Sequence, residues 1–299
     1  MKKRTALLLA VIFTAVFLLT SCGGKINSDK NESLPSAAET TQRAENTNSL
    51  KVHFVDVGQG DCTFAELPNG ETLLIDAGPD AMTAAEYIKK LGYSEVTYIV
   101  ATHPDADHIT GMAEVLNNFS VKQFYMPEKE HTTKTFEKML DALEANGCEA
   151  IYAGAGKSIL NADGLYVKFE GPVKKYPDNN SMSAVVKLRY KNNTFLFTGD
   201  ADYSAETDML NIGSDIRADV LKVAHHGSAS STSEKFLNAA EPEYAVISVG
   251  EDNKYNHPSK KVLSLLKKYN VEVYRTDKNG TITIEGDGNK YIIKTEREM

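Results

Sequence analysis

The sequence predicts a mixed α/β domain in which two sheets face each other and helices cover their outer faces. A hairpin pattern opens each half of region 50–299, and helical and strand-like segments alternate after each hairpin. The composition, with 41% apolar and 25% charged residues, is ordinary for a globular protein. It excludes a disordered, collagen-like or disulfide-scaffold protein for the bulk of the chain.

Elements of the first half are predicted from β-branched and aromatic runs, helical periodicity and turn residues. Strands are predicted at 52–57, 62–67 and 71–76, and Pro68-Asn69-Gly70 forms the turn between the last two. The next predicted elements, in chain order, are a helix at 81–91, a strand at 96–102, a short helix near 111–117, a strand at 122–126 and a helix at 133–146.

The second half repeats this style. Strands at 184–190 and 194–198 flank Asn192-Asn193 as a hairpin. The elements predicted after them are a strand at 219–224, a helix at 231–239, a strand at 244–249, a helix at 259–269 and a strand at 271–275. A final hairpin is predicted through Asn279-Gly280.

Residues 1–21 have the pattern of a secretion signal. Three basic residues at 2–4 precede an apolar run at 6–19, which is shorter than the roughly 20 residues of a membrane span. The run ends in Leu19-Thr20-Ser21-Cys22-Gly23, which resembles the lipobox of bacterial lipoproteins. By that resemblance Cys22 carries a lipid after residues 1–21 are removed. An uncleaved signal anchor is the alternative.

Residues 22–49 are rich in Ser, Thr, Asn, Glu and Ala, and they predict a solvated tether because they have little apolar surface to bury. The folded domain is then 50–299. Its expected location is the outer face of the cytoplasmic membrane, held by the lipid. A disulfide between Cys62 and Cys148 is permitted there, but their spacing does not require one, and both are predicted to be small buried residues.

Loops that follow apolar strands carry residue types that bind metals. In the string His-Pro-Asp-Ala-Asp-His, the candidate ligands are His103, Asp105, Asp107 and His108. Imidazole and carboxylate together suit ions such as Zn²⁺ or Mn²⁺. The alternative is a helix N-cap rich in Asp, but that explains only one of these residues.

Two loops of the second half add to this set. Asp200, at the end of an apolar segment, is a candidate bridging ligand between two metals. His225 and His226 follow another apolar segment, and one is expected to bind metal while the other bonds to substrate. Residues 227–233 predict a helix start with free backbone N–H groups that suit a phosphate oxygen. A helix cap with one structural histidine is the alternative.

Together these motifs resemble the metallo-β-lactamase superfamily and, more narrowly, the hydrolase domain of the ComEC/Rec2 competence proteins and their free-standing relatives. The resemblance covers region 50–299 and rests on residues 56–61, 75–78, 103–108, 179–181, 197–200, 222–228 and 255–258. It implies a four-layer αββα sandwich with a site for two divalent metal ions, Zn²⁺ or Mn²⁺, on the shared edge of the sheets.

The resemblance also implies a role for each matching residue. The implied metal ligands are His103 and Asp105 for one ion, Asp107, His108 and His225 for the other, and Asp200 between them. His226 is the alternative to His225, and Asp76 is expected to lie behind the ligands. Where the wider superfamily has histidines, this chain has Asp105 and Asn180, so the first ion is expected to bind weakly or to be Mn²⁺.

The remaining site residues are expected to act on substrate. The implied catalytic residues are Asp107, His226 and His257, and the implied substrate contacts are Asn180, Ser228 and His257. A loop histidine that precedes a helix N-cap is the alternative for His257. Asp61 is expected near the pocket. Candidate lysines for substrate binding are scattered along the chain: Lys51, Lys222, Lys254, Lys260 and Lys261.

The function expected from these residues is metal-dependent hydrolysis of phosphodiester bonds, with extracellular DNA as the substrate that the resemblance suggests. The chain has 33 Lys and Arg against 41 Asp and Glu, and an acidic protein is a poor general binder of nucleic acid. Phosphorylated wall polymers or phosphocholine esters are therefore alternatives, as are lactam or other ester bonds. A third alternative is a non-catalytic metal-binding surface module. No protein partner is indicated.

Overall fold

Two sheets lie face to face in the computed structural model, which describes residues 49–298. The predicted signal peptide at 1–21, with Cys22 and all but the last residue of the predicted tether, lies outside the described residues. Within the described part of the chain, no helix is long and apolar enough to span a membrane.

Fifteen strands and eight α-helices make up the described domain. The strands are β1 (Leu50–Phe54), β2 (Cys62–Glu66), β3 (Thr72–Ala77), β4 (Glu95–Val100), β5 (Ser120–Pro127), β6 (Ala150–Ala153), β7 (Ser158–Ala162), β8 (Leu165–Phe169), β9 (Val186–Tyr190), β10 (Asn193–Phe197), β11 (Val220–Lys222), β12 (Tyr244–Ile247), β13 (Glu272–Arg275), β14 (Ile282–Gly286) and β15 (Tyr291–Thr295). The helices are α1 (Thr83–Lys90), α2 (Ala106–Ile109), α3 (Met112–Asn118), α4 (Lys134–Asn146), α5 (Tyr203–Ile212), α6 (Glu234–Ala240), α7 (Lys260–Lys268) and α8 (Thr276–Asn279).

Each sheet combines antiparallel and parallel strands. The first sheet has the order β15-β14-β1-β2-β3-β4-β5-β6, and β3 to β6 run parallel. The second has the order β13-β12-β11-β10-β9-β8-β7, and β10 to β13 run parallel. The carboxyl ends of parallel strands lie on one edge of a sheet, which is where such folds place binding residues.

Three apolar clusters define four layers. Phe54, Phe169 and Phe197 belong to a cluster buried between the two sheets. A second cluster joins the first sheet to α1, α3 and α4, and a third joins the second sheet to α5, α6 and α7. The layers are therefore helix, sheet, sheet and helix, which confirms the predicted αββα sandwich.

Most predicted elements have a counterpart within a few residues, and one prediction is wrong. The final hairpin does not turn at Asn279-Gly280, which ends the short helix α8; it turns at residues 287–290, between β14 and β15. No element was predicted at β6 to β8, α2, α5 or α8. Cys62 is buried and Cys148 half-buried, and both are free thiols.

The inner core provides a direct test of the sandwich. Phe54 is fully buried, with its ring centroid 6.0 Å from that of Phe197. We expect Phe54→Ala to lower the free energy of unfolding by about 3–5 kcal/mol, because it leaves a cavity between the sheets. Urea denaturation measures the change. Ile292→Ala, at a side chain that is 57% exposed, should change it by less than about 0.5 kcal/mol. Equal effects of the two substitutions would contradict the assigned core.

Candidate metal centre

The carboxyl ends of five strands meet at one edge of the sandwich. The loops after β3 and β4 come from the first sheet, and those after β10, β11 and β12 come from the second. Asp76 lies near the end of β3, and the loops after the other four strands carry the 103–108 string, Asp200, the adjacent histidines His225 and His226, and Ser248. Residues far apart in sequence are thereby placed around one point.

His103, His108 and Asp200 form a first group of ligand atoms. His108 Nε2 lies 3.3 Å from Asp200 Oδ1, and His103 Nε2 lies 3.8 Å from Asp200 Oδ2. Among the described residues, His103 Nε2, His108 Nε2 and Asp200 Oδ1 are buried without a hydrogen-bond partner. Asp105 borders the group, with Oδ2 3.5 Å from His103 Nε2. Because unpartnered buried polar atoms are costly, this convergence fits a bound cation.

Asp107, His108 and His226 form a second group. His226 Nε2 lies 3.3 Å from Asp107 Oδ2 and 3.9 Å from Asp200 Oδ2. Asp200 therefore contacts both groups, which is the arrangement that a bridging carboxylate requires. The donor set of imidazoles and carboxylates suits divalent ions of the Zn²⁺ or Mn²⁺ type.

Hydrogen bonds behind the ligands fix the direction of two imidazoles. His108 Nδ1 lies 2.7 Å from Asp76 Oδ2, and Asp76 also accepts bonds from the Thr102 backbone N–H and hydroxyl. His226 Nδ1 lies 2.9 Å from the Ser248 carbonyl oxygen, so this nitrogen is the donor. In both rings the Nε2 atom is thereby left to face the cluster.

A buried ion pair contacts His226, a member of the second group. Lys222 and Asp61 are both buried and in direct contact, and Asp61 Oδ1 lies 3.4 Å from His226 Nδ1. The Asp61 backbone N–H donates to the Asp107 carbonyl oxygen, and a Cβ at Gly60 would collide with that oxygen. Lys222 thus has no access to substrate, and its prediction as a substrate lysine is wrong. A lysine inside the apolar segment 220–223 is the signal that could have identified a buried counter-charge.

Carboxylates and imidazoles of the cluster shift each other's pKa values toward the charged forms. Burial alone would raise the pKa of Asp200, but the imidazoles of His108 and His226 outweigh it and hold that pKa well below its usual range. Burial alone would lower the pKa of His226, but Asp200 and Asp61 outweigh it and raise that pKa to about 9. A cation that binds His226 must therefore displace a proton.

His225 points toward the outer side of the cluster. Its Nε2 atom lies 3.7 Å from Asp200 Oδ2, and its Nδ1 atom lies 3.4 Å from the Asn180 amide nitrogen. The His257 ring is 5.6 Å from the His225 ring, centroid to centroid. Burial lowers the pKa of both histidines, which favours neutral imidazoles near pH 7. His226 is the imidazole beside Asp107, which favours His226, the alternative that the sequence left open, as the ligand of the second group.

The local backbone explains why adjacent histidines diverge. Both His225 and His226 adopt left-handed conformations, with φ of 50° and 52°. Gly227 follows with a positive φ, and a Cβ there would collide with Pro258. The chain therefore turns tightly at this point, and one imidazole enters the cluster while the other faces outward.

The loop after Gly227 differs from its prediction. The Thr232 and Ser233 backbone N–H groups donate to the buried Glu206 carboxylate. Those of residues 228, 230 and 231 are also bonded within the protein, and the Ser228 hydroxyl bonds to that of Ser230. The prediction of free N–H groups for a phosphate oxygen is therefore wrong at residues 228 and 230–233.

This fold and donor set define a class of protein, the metal-binding αββα sandwiches. Residues 55–251 match the Metallo-beta-lactamase superfamily, and the chain belongs to that family. It is 33% identical over 253 residues to ComE operon protein 3 of Bacillus subtilis, and 28% identical over 243 residues to competence protein ComA of Neisseria gonorrhoeae. These alignments cover 78% and 79% of this chain but 32% of each relative, so the chain spans about a third of their length.

Solved structures agree with the fold. The metallo-beta-lactamase fold protein YhfI from Bacillus subtilis matches with a TM-score of 0.54 at 13% identity, over 80% of this chain and 100% of that one. The diiron β-hydroxylase CmlA from Streptomyces venezuelae matches with a TM-score of 0.52 at 14% identity, over 76% and 52% of the two chains. The predicted family and fold are thus confirmed.

Metal content distinguishes the two adjacent histidines. We expect His226→Ala to lose about one ion per molecule, because its Nε2 atom faces Asp107 and Asp200. His225→Ala should keep the metal content of the unsubstituted protein. Elemental analysis after dialysis measures both, and circular dichroism checks that each variant is folded. Loss of metal from the His225 variant alone would restore the original assignment.

Proposed function

We propose that the protein is a metal-dependent hydrolase of phosphodiester bonds. The observation that carries the proposal is the position of Asp200, which contacts two groups of ligand atoms that share His108. Divalent ions held there would acidify a water molecule and neutralise charge that develops on phosphoryl oxygens. Similarity to competence proteins supports a nucleic-acid substrate such as extracellular DNA.

Charge balance supports two ions. The Asp61–Lys222 pair is neutral as a unit, and the remaining carboxylates around the cluster are Asp76, Asp105, Asp107 and Asp200. With neutral imidazoles, their four negative charges are balanced by two divalent cations. Asp76 and Asp200 are buried, and a buried charge that lacks a partner is strongly unfavourable, so this balance favours a binuclear site of Zn²⁺ or Mn²⁺ type.

Side chains of this protein orient the attacking water and donate hydrogen bonds to the phosphoryl and leaving oxygens. The Asp107 carboxylate, partly exposed at the cluster, accepts a hydrogen bond from the attacking water and so orients it. The Asn180 amide donates to His225 Nδ1, which leaves the His225 proton on Nε2, on the side of Asp200. His225 is then a donor to a phosphoryl oxygen, and His257 beside it donates to the leaving oxygen.

Asp200→Ala tests the shared carboxylate. We expect this change to abolish phosphodiesterase activity and to lower metal content, because both groups of ligand atoms lose a member. Hydrolysis of methyl p-nitrophenyl phosphate with Mn²⁺, Zn²⁺ or Mg²⁺ measures the activity, and elemental analysis measures the metal. The matched control is Asp202→Ala, which removes only the N-cap of α5. Unchanged metal content in the Asp200 variant would exclude the bridging role.

We also propose that the protein is a lipoprotein on the outer face of the cytoplasmic membrane. The support is the sequence pattern of residues 1–23, with Cys22 as the lipidated residue. Cys22→Ser should abolish incorporation of labelled palmitate and shift the protein out of the lipid-modified membrane fraction. Cys148→Ser is the control cysteine substitution and should keep the label. Equal labelling of both variants would exclude lipidation at Cys22.

A further inference from the structure

The loop at residues 250–257 borders the cluster and is held in one shape. Asn253 is its organising residue: its Nδ2 atom donates to the carbonyl oxygens of Gly250 and His257, at 2.9 and 2.8 Å. Its Oδ1 atom accepts from the backbone N–H groups of Tyr255 and His257, at 3.2 and 2.9 Å. The side chain of Tyr255 therefore projects from a braced backbone.

Tyr255 is an exposed aromatic residue close to the proposed reaction centre. It is 53% exposed, and its ring lies 5.7 Å from the His257 ring in a stacked arrangement. His257 in turn contacts His225, so two ring contacts connect Tyr255 to the cluster. Lys254, which is exposed, has its ammonium 5.3 Å from the centre of the Tyr255 ring.

The chemistry of this loop favours a planar, uncharged ligand group. Glu251 and Asp252 share the loop with Lys254, so the loop carries no net positive charge that would attract a phosphate backbone by itself. An aromatic ring binds any nucleobase by stacking, and this interaction does not depend on the sequence of bases. Single-stranded nucleic acid presents such bases unpaired.

We propose that Tyr255 is a nucleobase-stacking subsite, which binds a base of a single-stranded nucleic acid next to the bond that is cut. This inference rests on the proposed phosphodiesterase function. His257 lies between the subsite and His225, so a strand whose base stacks on Tyr255 carries its phosphate toward the cluster.

Binding to matched oligonucleotides tests the subsite without any need for hydrolysis. The probes are fluorescein-labelled single-stranded oligothymidylate and an abasic strand of the same length, and fluorescence anisotropy with the detergent-purified full chain in EDTA gives each Kd. We expect the unsubstituted protein to bind the thymidine strand about 5- to 100-fold more tightly than the abasic strand. Tyr255→Phe should keep this ratio, and Tyr255→Ala should bring it close to one.

A distant tyrosine provides the matched control. Tyr152 on β6 is 51% exposed, and Tyr152→Ala should leave the ratio unchanged. A Tyr255→Ala variant that keeps the full ratio would overturn the subsite, as would a ratio of one in the unsubstituted protein. Failure of the parent function is a separate result, seen as no hydrolysis of methyl p-nitrophenyl phosphate by a protein that still distinguishes the two strands.

Discussion

The site depends on one buried carboxylate, Asp200, which the second sheet presents to imidazoles of the first sheet. His103 and His108 approach it from the loop after β4, and His226 approaches from the loop after β11. A carboxylate at this depth requires compensation by opposite charge or hydrogen bonds. The contact exists only when the sheets are stacked, so the apolar core between them also determines the geometry of the site.

Part of the backbone strain of the domain lies at the same edge. Asp76, His225 and His226 are non-glycine residues with positive φ, a conformation that costs on the order of 1–3 kcal/mol at each position. Each is held by surrounding bonds. Asp76 is held by Thr102 and His108, His225 by the bond from its backbone N–H to the Gly199 carbonyl oxygen, and His226 by Ser248. Packing and hydrogen bonding elsewhere in the fold therefore maintain a local geometry that these residues would not adopt alone.

Local patterns were sufficient to predict the elements that carry strong apolar signals. The helix predicted at 133–146 begins after the Thr133 cap and ends at the left-handed Gly147, as α4. By contrast, β7 is largely exposed and α5 buries only a few side chains, so neither has a clear apolar period. Asn279-Gly280 has turn chemistry, but the chain crosses there from the second sheet to the first, and a local pattern does not reveal that crossing.

At the site, too, some features follow from local sequence patterns and others depend on backbone conformation or distant contacts. The residue types of the 103–108 string and Asp200 were sufficient to propose them as ligands, because they follow apolar strands. The choice between His225 and His226 depended on two successive left-handed residues, which no residue type there requires. The burial of Lys222 against Asp61 depended on a contact between a strand end and a loop that are more than 150 residues apart in sequence.

The Asp61–Lys222 ion pair distinguishes acidic residues of the cluster that have a lysine partner from those that do not. Burial alone would raise the pKa of Asp61, but Lys222 and His226 outweigh it and hold that pKa well below its usual range. Asp61 is thus compensated within the protein by an opposite charge. Asp76 accepts hydrogen bonds from Thr102 and His108 but, within the described residues, has no lysine or arginine partner. Asp107 and Asp200 have no lysine or arginine partner within the described residues. The Asp61–Lys222 pair is therefore complete as folded, and the other carboxylates of the cluster are the ones whose charge cations from solution would balance.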